Sequence, residues 1–255
     1  MEQLFGFESL STLVFVLSVA LCAGLVKGIV GFAMPMILIS GMTLVLPPET
    51  ALAALILPTL ITNVWQSLRQ GVQSALQTIR EFRVFLLCGL VFLVASAQFV
   101  RLLEPQILYG FIGILVTVFT ATQLLGLRPK SFKKSTRVEL AAGALAGFTG
   151  GLSGVWGPPT VAYLTAIDTN KQEQIRAQGV IYGLGAIALA GAHIQTGVLR
   201  AETLPLTLAI LPCALLGVWL GFKLQDRIAQ QTFRTVTLVV LAIAGLNLLR
   251  RAILG

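Results

Sequence analysis

Charged residues are scarce in this 255-residue chain: they make up 11% of it, whereas 56% is hydrophobic. So few charges cannot cover the surface of a soluble domain of this size. Apolar runs of about 20 residues recur along the whole length, with short polar gaps that leave no room for a separate soluble domain. The composition therefore predicts an integral membrane protein.

The sequence is also poor in the residues that carry most enzyme and metal chemistry. Its one histidine is His193, and its three cysteines lie inside apolar segments without metal-ligand spacing. No nucleophile with a paired base can be assembled from one histidine and acids that lie in loops. We therefore expect no enzyme activity, no metal and no other cofactor. His193 fits an interfacial histidine better than a proton relay.

The net charge of +8 comes from lysines and arginines in short loops between apolar segments. The positive-inside rule explains this pattern, so we expect no nucleic-acid partner. If the N-terminus lies outside, most of these bases are cytoplasmic, in the loops near 69–83, 126–137, 168–176 and 223–234. Arg250 and Arg251 do not fit, which leaves the side of the C-terminus open.

The apolar segments fall into two similar halves of a single transmembrane domain. Repeat 1, residues 1–127, consists of a broken segment over 10–46 and helices over 50–68, 83–99 and 107–125. Repeat 2, residues 128–255, consists of a broken segment over 138–167 and helices over 175–194, 204–222 and 233–249. The two arms of the second broken segment are too short to cross a bilayer, so each broken segment is predicted to be a re-entrant hairpin.

Both broken segments contain a glycine-rich interruption followed by proline. A gapless shift superimposes Ala23 on Ala146, Gly24 on Gly147, Gly28 on Gly151, Gly31 on Gly154 and Pro35 on Pro158. Three crossings follow each hairpin, and an odd number of crossings inverts the second half relative to the first. The sequence thus predicts an all-α polytopic membrane protein with two inverted repeats, an architecture typical of secondary transporters.

A helix that starts at each break would present its free N–H groups and positive dipole end there, and proline suits its first turn. Two such ends facing one cavity near the membrane midplane would bind an anion. Lys27 adds a full charge at the first break, whereas Gly150 occupies the matching position of repeat 2. A charge inside a membrane segment is a functional hypothesis by default, although snorkelling to an interface and pairing with a helix C-terminus are the alternatives.

The candidate substrate-binding residues lie on the two breaks and on two neighbouring helices. They are Lys27, Gly28, Gly31, Phe32 and Pro35; Gly151, Ser153, Gly154, Trp156, Gly157 and Pro158; and Asn63, Gln66, Gln178 and Tyr182. Close helix packing is the alternative for the glycines, and interfacial anchoring is the alternative for Trp156. The duplication and the prolines favour substrate-lining breaks. For the polar residues on the helices, an interhelical hydrogen bond is equally compatible.

Two halves that each carry a Gly-x-x-x-Gly-x-x-Gly break followed by proline resemble the TauE/SafE sulfite exporter family of bacterial anion permeases. The most specific parts are Gly24 to Pro35 and Gly147 to Pro159. The resemblance implies a bacterial inner-membrane transporter whose partners are membrane lipids and a small inorganic or organic anion, such as sulfite or a sulfonate. The first expectation is export of a small sulfur oxyanion. The second is ion-coupled uptake of an organosulfonate or related organic anion, and the third is a non-transporting membrane scaffold. The oligomeric state is not predicted.

Overall fold

A computed structural model describes residues 10–42, 44–97, 105–126, 134–153, 156–195 and 204–254. All regular structure in these ranges is helical, which confirms the all-α prediction. The helices are α1 (Leu10–Val30), α2 (Met34–Met42), α3 (Pro48–Leu68), α4 (Val72–Glu81), α5 (Arg83–Ala97), α6 (Pro105–Leu124), α7 (Thr136–Ser153), α8 (Gly157–Ala166), α9 (Lys171–Gln195), α10 (Leu204–Arg227) and α11 (Gln230–Leu254). The inverted relation of the two halves stays a prediction.

Among the residues that the structure describes, three helices, α1, α10 and α11, are long and apolar enough to cross a membrane. Shorter apolar stretches lie in α3, α5 and α6. On α5, the large apolar side chains of Leu87, Val91 and Val94 are all more than half exposed. Such a surface suits lipid tails and not water, because apolar area in water is unfavourable. The protein is therefore a membrane protein.

Several helices extend a few residues beyond the expected segments, and two further differences concern a helix and the breaks. Helix α4 lies in the stretch 69–83, where the sequence analysis places a loop. It buries Ala75 and Thr78, and its exposed residues alternate between apolar Val72, Leu76 and Ile79 and polar Gln73, Gln77 and Arg80, so a search for apolar runs misses it. The second difference is that the break glycines Gly28 and Gly151 lie inside α1 and α7, not at turns. Helix α7 consequently continues to Ser153, through the glycines at which the sequence predicts an interruption.

The described chain forms two compact units, and each unit combines segments of both predicted repeats. The first unit contains residues 1–70 and 178–228, and the second contains 71–177 and 229–255. The division of the chain into repeats at residue 127 stays a prediction.

In the first unit, α1 packs along α10 with backbone against backbone. A Cβ atom added at Gly24 would overlap the carbonyl oxygen of Ala214, and one at Gly28 would lie 2.7 Å from the Cα of Gly221. From the other side, a Cβ at Gly221 would lie 2.7 Å from the Cα of Gly28. Only glycine permits so close an approach, which is the small-residue packing common between membrane helices.

In the second unit, α7 packs along α5 in the same manner. A Cβ atom at Gly147 would lie 2.8 Å from the Cα of Gly89, and one at Gly143 would lie 3.0 Å from the Cα of Phe85. The first helix of each predicted hairpin thus packs through its glycines on a helix of the other predicted repeat. This reciprocity is the pattern expected of a duplicated chain.

The start of α9 carries a carboxyl group whose protonation is linked to folding. Asn170 Oδ1 accepts a hydrogen bond from Glu173 N at 3.0 Å, and Asn170 Nδ2 donates to Glu173 Oε2 at 3.0 Å. Burial and then the nearby carboxylate of Glu81 raise the pKa of Glu173, against the opposing effect of Lys134 and Arg176. The folded state therefore binds this proton more tightly than the unfolded state does.

Replacing Glu173 with glutamine is expected to make the stability of the protein less sensitive to rising pH. The wild type loses stability as the pH rises from the unfolded pKa of Glu173 through its raised folded pKa, because deprotonation opposes folding there. Glu173→Gln should be more stable than the wild type above this window and should match it below. Thermal unfolding in detergent across a pH series measures the difference, and a constant offset at every pH would contradict the linkage.

Candidate functional site

The first break is a short, strained link between α1 and α2. Gly31 N donates to Lys27 O at 2.6 Å and closes α1. Gly31 has a φ of +86°, and Ala33 has a φ of +74°, a left-handed conformation that costs a non-glycine residue roughly 1–2 kcal/mol. Strain of this kind persists where the surrounding structure holds it, and it is frequent at functional sites.

Helix α2 begins directly after this link, with Pro35 in its first turn. Its first i to i−4 hydrogen bond runs from Ile37 N to Ala33 O at 3.0 Å. The N–H groups of Met34 and Met36 therefore have no acceptor within the helix, and Pro35 has no N–H group. The positive end of the α2 dipole lies at the break.

Lys27 lies on the last turn of α1 and is 1% exposed. Its Nζ donates a short hydrogen bond to Asn63 Oδ1 on α3. Within the described part of the chain, no carboxylate lies within ion-pair distance of Lys27. Asn63 is itself buried, and its Nδ2 has no hydrogen-bond partner among the described residues. One ammonium group and one amide donor are thus buried together without an anionic partner.

Two glutamines hold the carbonyl end of α1 at the break. Gln66 Nε2 on α3 donates to Gly31 O at 3.1 Å. The amide of Gln178 on α9, oriented so that its nitrogen donates, reaches Gly31 O at 3.2 Å and Val30 O at 3.0 Å. Helices usually leave their last carbonyls without partners, and these bonds satisfy two of them inside an apolar environment.

Helix α3 supplies a further polar surface next to its internal proline, Pro58. Thr62 Oγ1 donates to Pro58 O at 2.6 Å, and its contact with Met34 Sδ at 3.9 Å links α3 to the start of α2. Thr59 is buried on the same helix, and its hydroxyl has no partner in the described structure. These residues share a face with Asn63 and Gln66, as their helical spacing predicts.

The structure gathers five of the predicted site residues at the first break: Lys27, Gly31, Asn63, Gln66 and Gln178. Phe32 is buried within the link, and Tyr182 is buried on α9. Gly28 packs against Gly221 and Phe222 of α10 instead, as the helix-packing alternative expects.

The second break is built differently. Trp156 directly precedes α8, whose first turn contains Gly157, Pro158 and Pro159. The Trp156 ring covers Gly150 so closely that a Cβ atom there would lie 3.0 Å from Cε3. An indole thus covers the position that corresponds to Lys27. Gly151 lies in the last turn of α7, while Gly154 and the side chains of Ser153 and His193 lie outside the described residues.

A family model described as sulfite exporter TauE/SafE matches residues 16–248. The chain belongs to the TauE/SafE sulfite exporter family. This membership confirms the resemblance that the two glycine breaks indicate, and it identifies the chain as a member of a transporter family. Searches of curated proteins and of solved structures give no significant match.

The sequence does not predict one buried carboxylate of this TauE/SafE protein, that of Glu139. Glu139 is 6% exposed on the first turn of α7, and its Oε1 accepts a hydrogen bond from Phe85 N at 3.3 Å. Phe85 lies in the first turn of α5, where N–H groups lack helical acceptors. Glu139 therefore caps a neighbouring helix. Its position at the edge of an apolar run gave no signal of burial.

Proposed function

We propose that this TauE/SafE protein is a secondary transporter that exports a small sulfur oxyanion, sulfite or an organosulfonate, by alternating access. The observation that carries the proposal is the buried ammonium group of Lys27, which has no carboxylate partner among the described residues. A buried charge without a counter-ion is strongly unfavourable, so an anion is its natural ligand.

The first break offers three kinds of donor to such an anion. Lys27 supplies the charge, and Asn63 Nδ2 supplies a neutral N–H group that has no acceptor among the described residues. Met34 and Met36 supply backbone N–H groups at the positive end of α2. Gln66 and Gln178 bind backbone carbonyls, so their role is to hold the break in shape.

The second break, Gly151 to Pro158, takes part in transport as the counterpart of the first. The repeated glycines and proline support this, as does the reciprocal packing of α1 on α10 and of α7 on α5. The protein has its N-terminus outside the bacterial inner membrane, which the basic loops support through the positive-inside rule. An inside-negative potential favours export by about 2.3 kcal/mol per charge per 100 mV, so outward flux needs no coupling ion.

Efflux from proteoliposomes tests this function. Vesicles loaded with sulfite or methanesulfonate should release the anion faster than protein-free vesicles, and an inside-negative potential should accelerate the release. Absence of anion-dependent flux under every imposed gradient would overturn the proposal. Inward flux that occurs only with a sodium or proton gradient would replace export with coupled uptake.

A further inference from the structure

The first break holds a single uncompensated charge. The other cations described in the same compact unit are either paired or exposed. Arg69 binds the carboxylate of Asp226 and stacks on the Phe222 ring, with its Cζ 4.3 Å from the ring centroid. Lys223 lies over the Trp219 ring and is exposed, as is Arg227. Lys27 is therefore the one buried cation that the structure describes in this unit.

We propose that this site selects anions by their net charge and prefers monoanions to dianions. This inference rests on the proposed function and specifies its substrate class. A bound monoanion makes the site electrically neutral, whereas a dianion leaves one negative charge buried among uncharged groups. Uncompensated charge inside a membrane protein is costly even after local relaxation. Bisulfite and simple sulfonates should therefore bind better than sulfate, the sulfite dianion or carboxylated sulfonates.

The neutral donors at the break do not remove this preference. Asn63 Nδ2 and the N–H groups of Met34 and Met36 can each bind one anion oxygen, which suits the three oxygens of a sulfonate head. The N-terminus of α2 contributes only about half an elementary charge, and the carbonyl end of α1 at the same break contributes a partial charge of opposite sign. The other buried residues at the break carry no charge: Phe32 and Met34 are apolar, and Thr59, Thr62, Gln66 and Gln178 are neutral. A second negative charge would thus remain largely uncompensated.

Competition between two anions of similar size tests the inference. Sulfate and methanesulfonate both present oxygens around a tetrahedral sulfur, but sulfate carries two negative charges and methanesulfonate carries one. In wild-type proteoliposomes, methanesulfonate should inhibit uptake of labelled bisulfite at a concentration at least about tenfold lower than sulfate. Inhibition by both anions at equal concentration, or stronger inhibition by sulfate, would overturn the charge preference.

Two variants separate this inference from the proposed function. In Lys27→Gln, loss of flux for both anions supports the site, whereas wild-type flux would overturn the pairing of the anion with Lys27, and with it this inference, while leaving the transport function intact. Asn63→Lys adds a second ammonium group at the break, and it should improve sulfate inhibition relative to methanesulfonate. A folded, active Asn63→Lys protein with the wild-type ratio would contradict charge compensation. The wild-type competition decides the inference even if this variant does not fold.

Discussion

Replacing Lys27 with alanine or glutamine is expected to lower anion flux by at least about a hundredfold. Removing one partner of a buried charge pair typically costs about 3–5 kcal/mol, which corresponds to two or more orders of magnitude in affinity. The same change should raise the melting temperature of the anion-free protein, because a buried ammonium without a counter-ion destabilises the fold. Flux assays and thermal unfolding in detergent measure the two effects.

Lys223→Ala is the matched control, since Lys223 is an exposed lysine that contacts the ring of Trp219. Its flux should stay within about twofold of the wild type, because exposed charges contribute little. A folded Lys27→Gln protein with wild-type flux would show that the oxyanion does not pair with Lys27. Loss of flux with no gain in melting temperature would argue that Lys27 has a counter-ion in the empty protein.

Gly28→Ala is expected to destabilise the protein by about 3 kcal/mol or more. The added Cβ would overlap the Val218 carbonyl oxygen and lie 2.7 Å from the Cα of Gly221. Overpacking usually costs about 1–3 kcal/mol, and backbone atoms cannot move aside as a flexible side chain can. Thermal unfolding and the yield of monodisperse protein measure the loss.

Gly183→Ala serves as its control within the same compact unit. A Cβ atom there would meet only Asn63 Cβ, at 3.8 Å, which is an ordinary van der Waals contact. Because alanine favours a helix over glycine by roughly 0.5–1 kcal/mol, this variant should be as stable as the wild type or slightly more so. If Gly28→Ala stayed stable but bound anions weakly, Gly28 would line the substrate path as the sequence analysis expects.

Much of the fold follows from hydropathy alone. The apolar runs indicate a membrane protein, and most of the described helices lie on those runs. The positions of the breaks were less predictable, because glycines serve both turns and close helix contacts. Gly28 and Gly151 remain helical, while the chain turns at Gly31 and Ala33. An alanine with a left-handed φ leaves no signature in a single sequence.

The candidate site was predictable in its residue types but not in its contacts. Lys27 stands out as a charge in an apolar run, and Asn63 and Gln66 stand out by their helical spacing. Nothing in the sequence shows that Gln178, far along the chain, binds the same carbonyl as Gln66. Such pairings depend on tertiary packing. The contact of the Trp156 ring with Gly150 also depends on tertiary packing, so it could not be predicted from the sequence.

The contact between α1 and α10 restricts how this unit can move. Backbone meets backbone at Gly28 and Gly221, so no side chain can change rotamer to let one helix slide past the other. The pair formed by α1 and α10 is therefore rigid. Because Lys27 lies on α1, its charge stays fixed relative to α10. Among the described residues of the unit, we expect motion where helical hydrogen bonds are missing, which is the case at the start of α2 and at Pro58 inside α3.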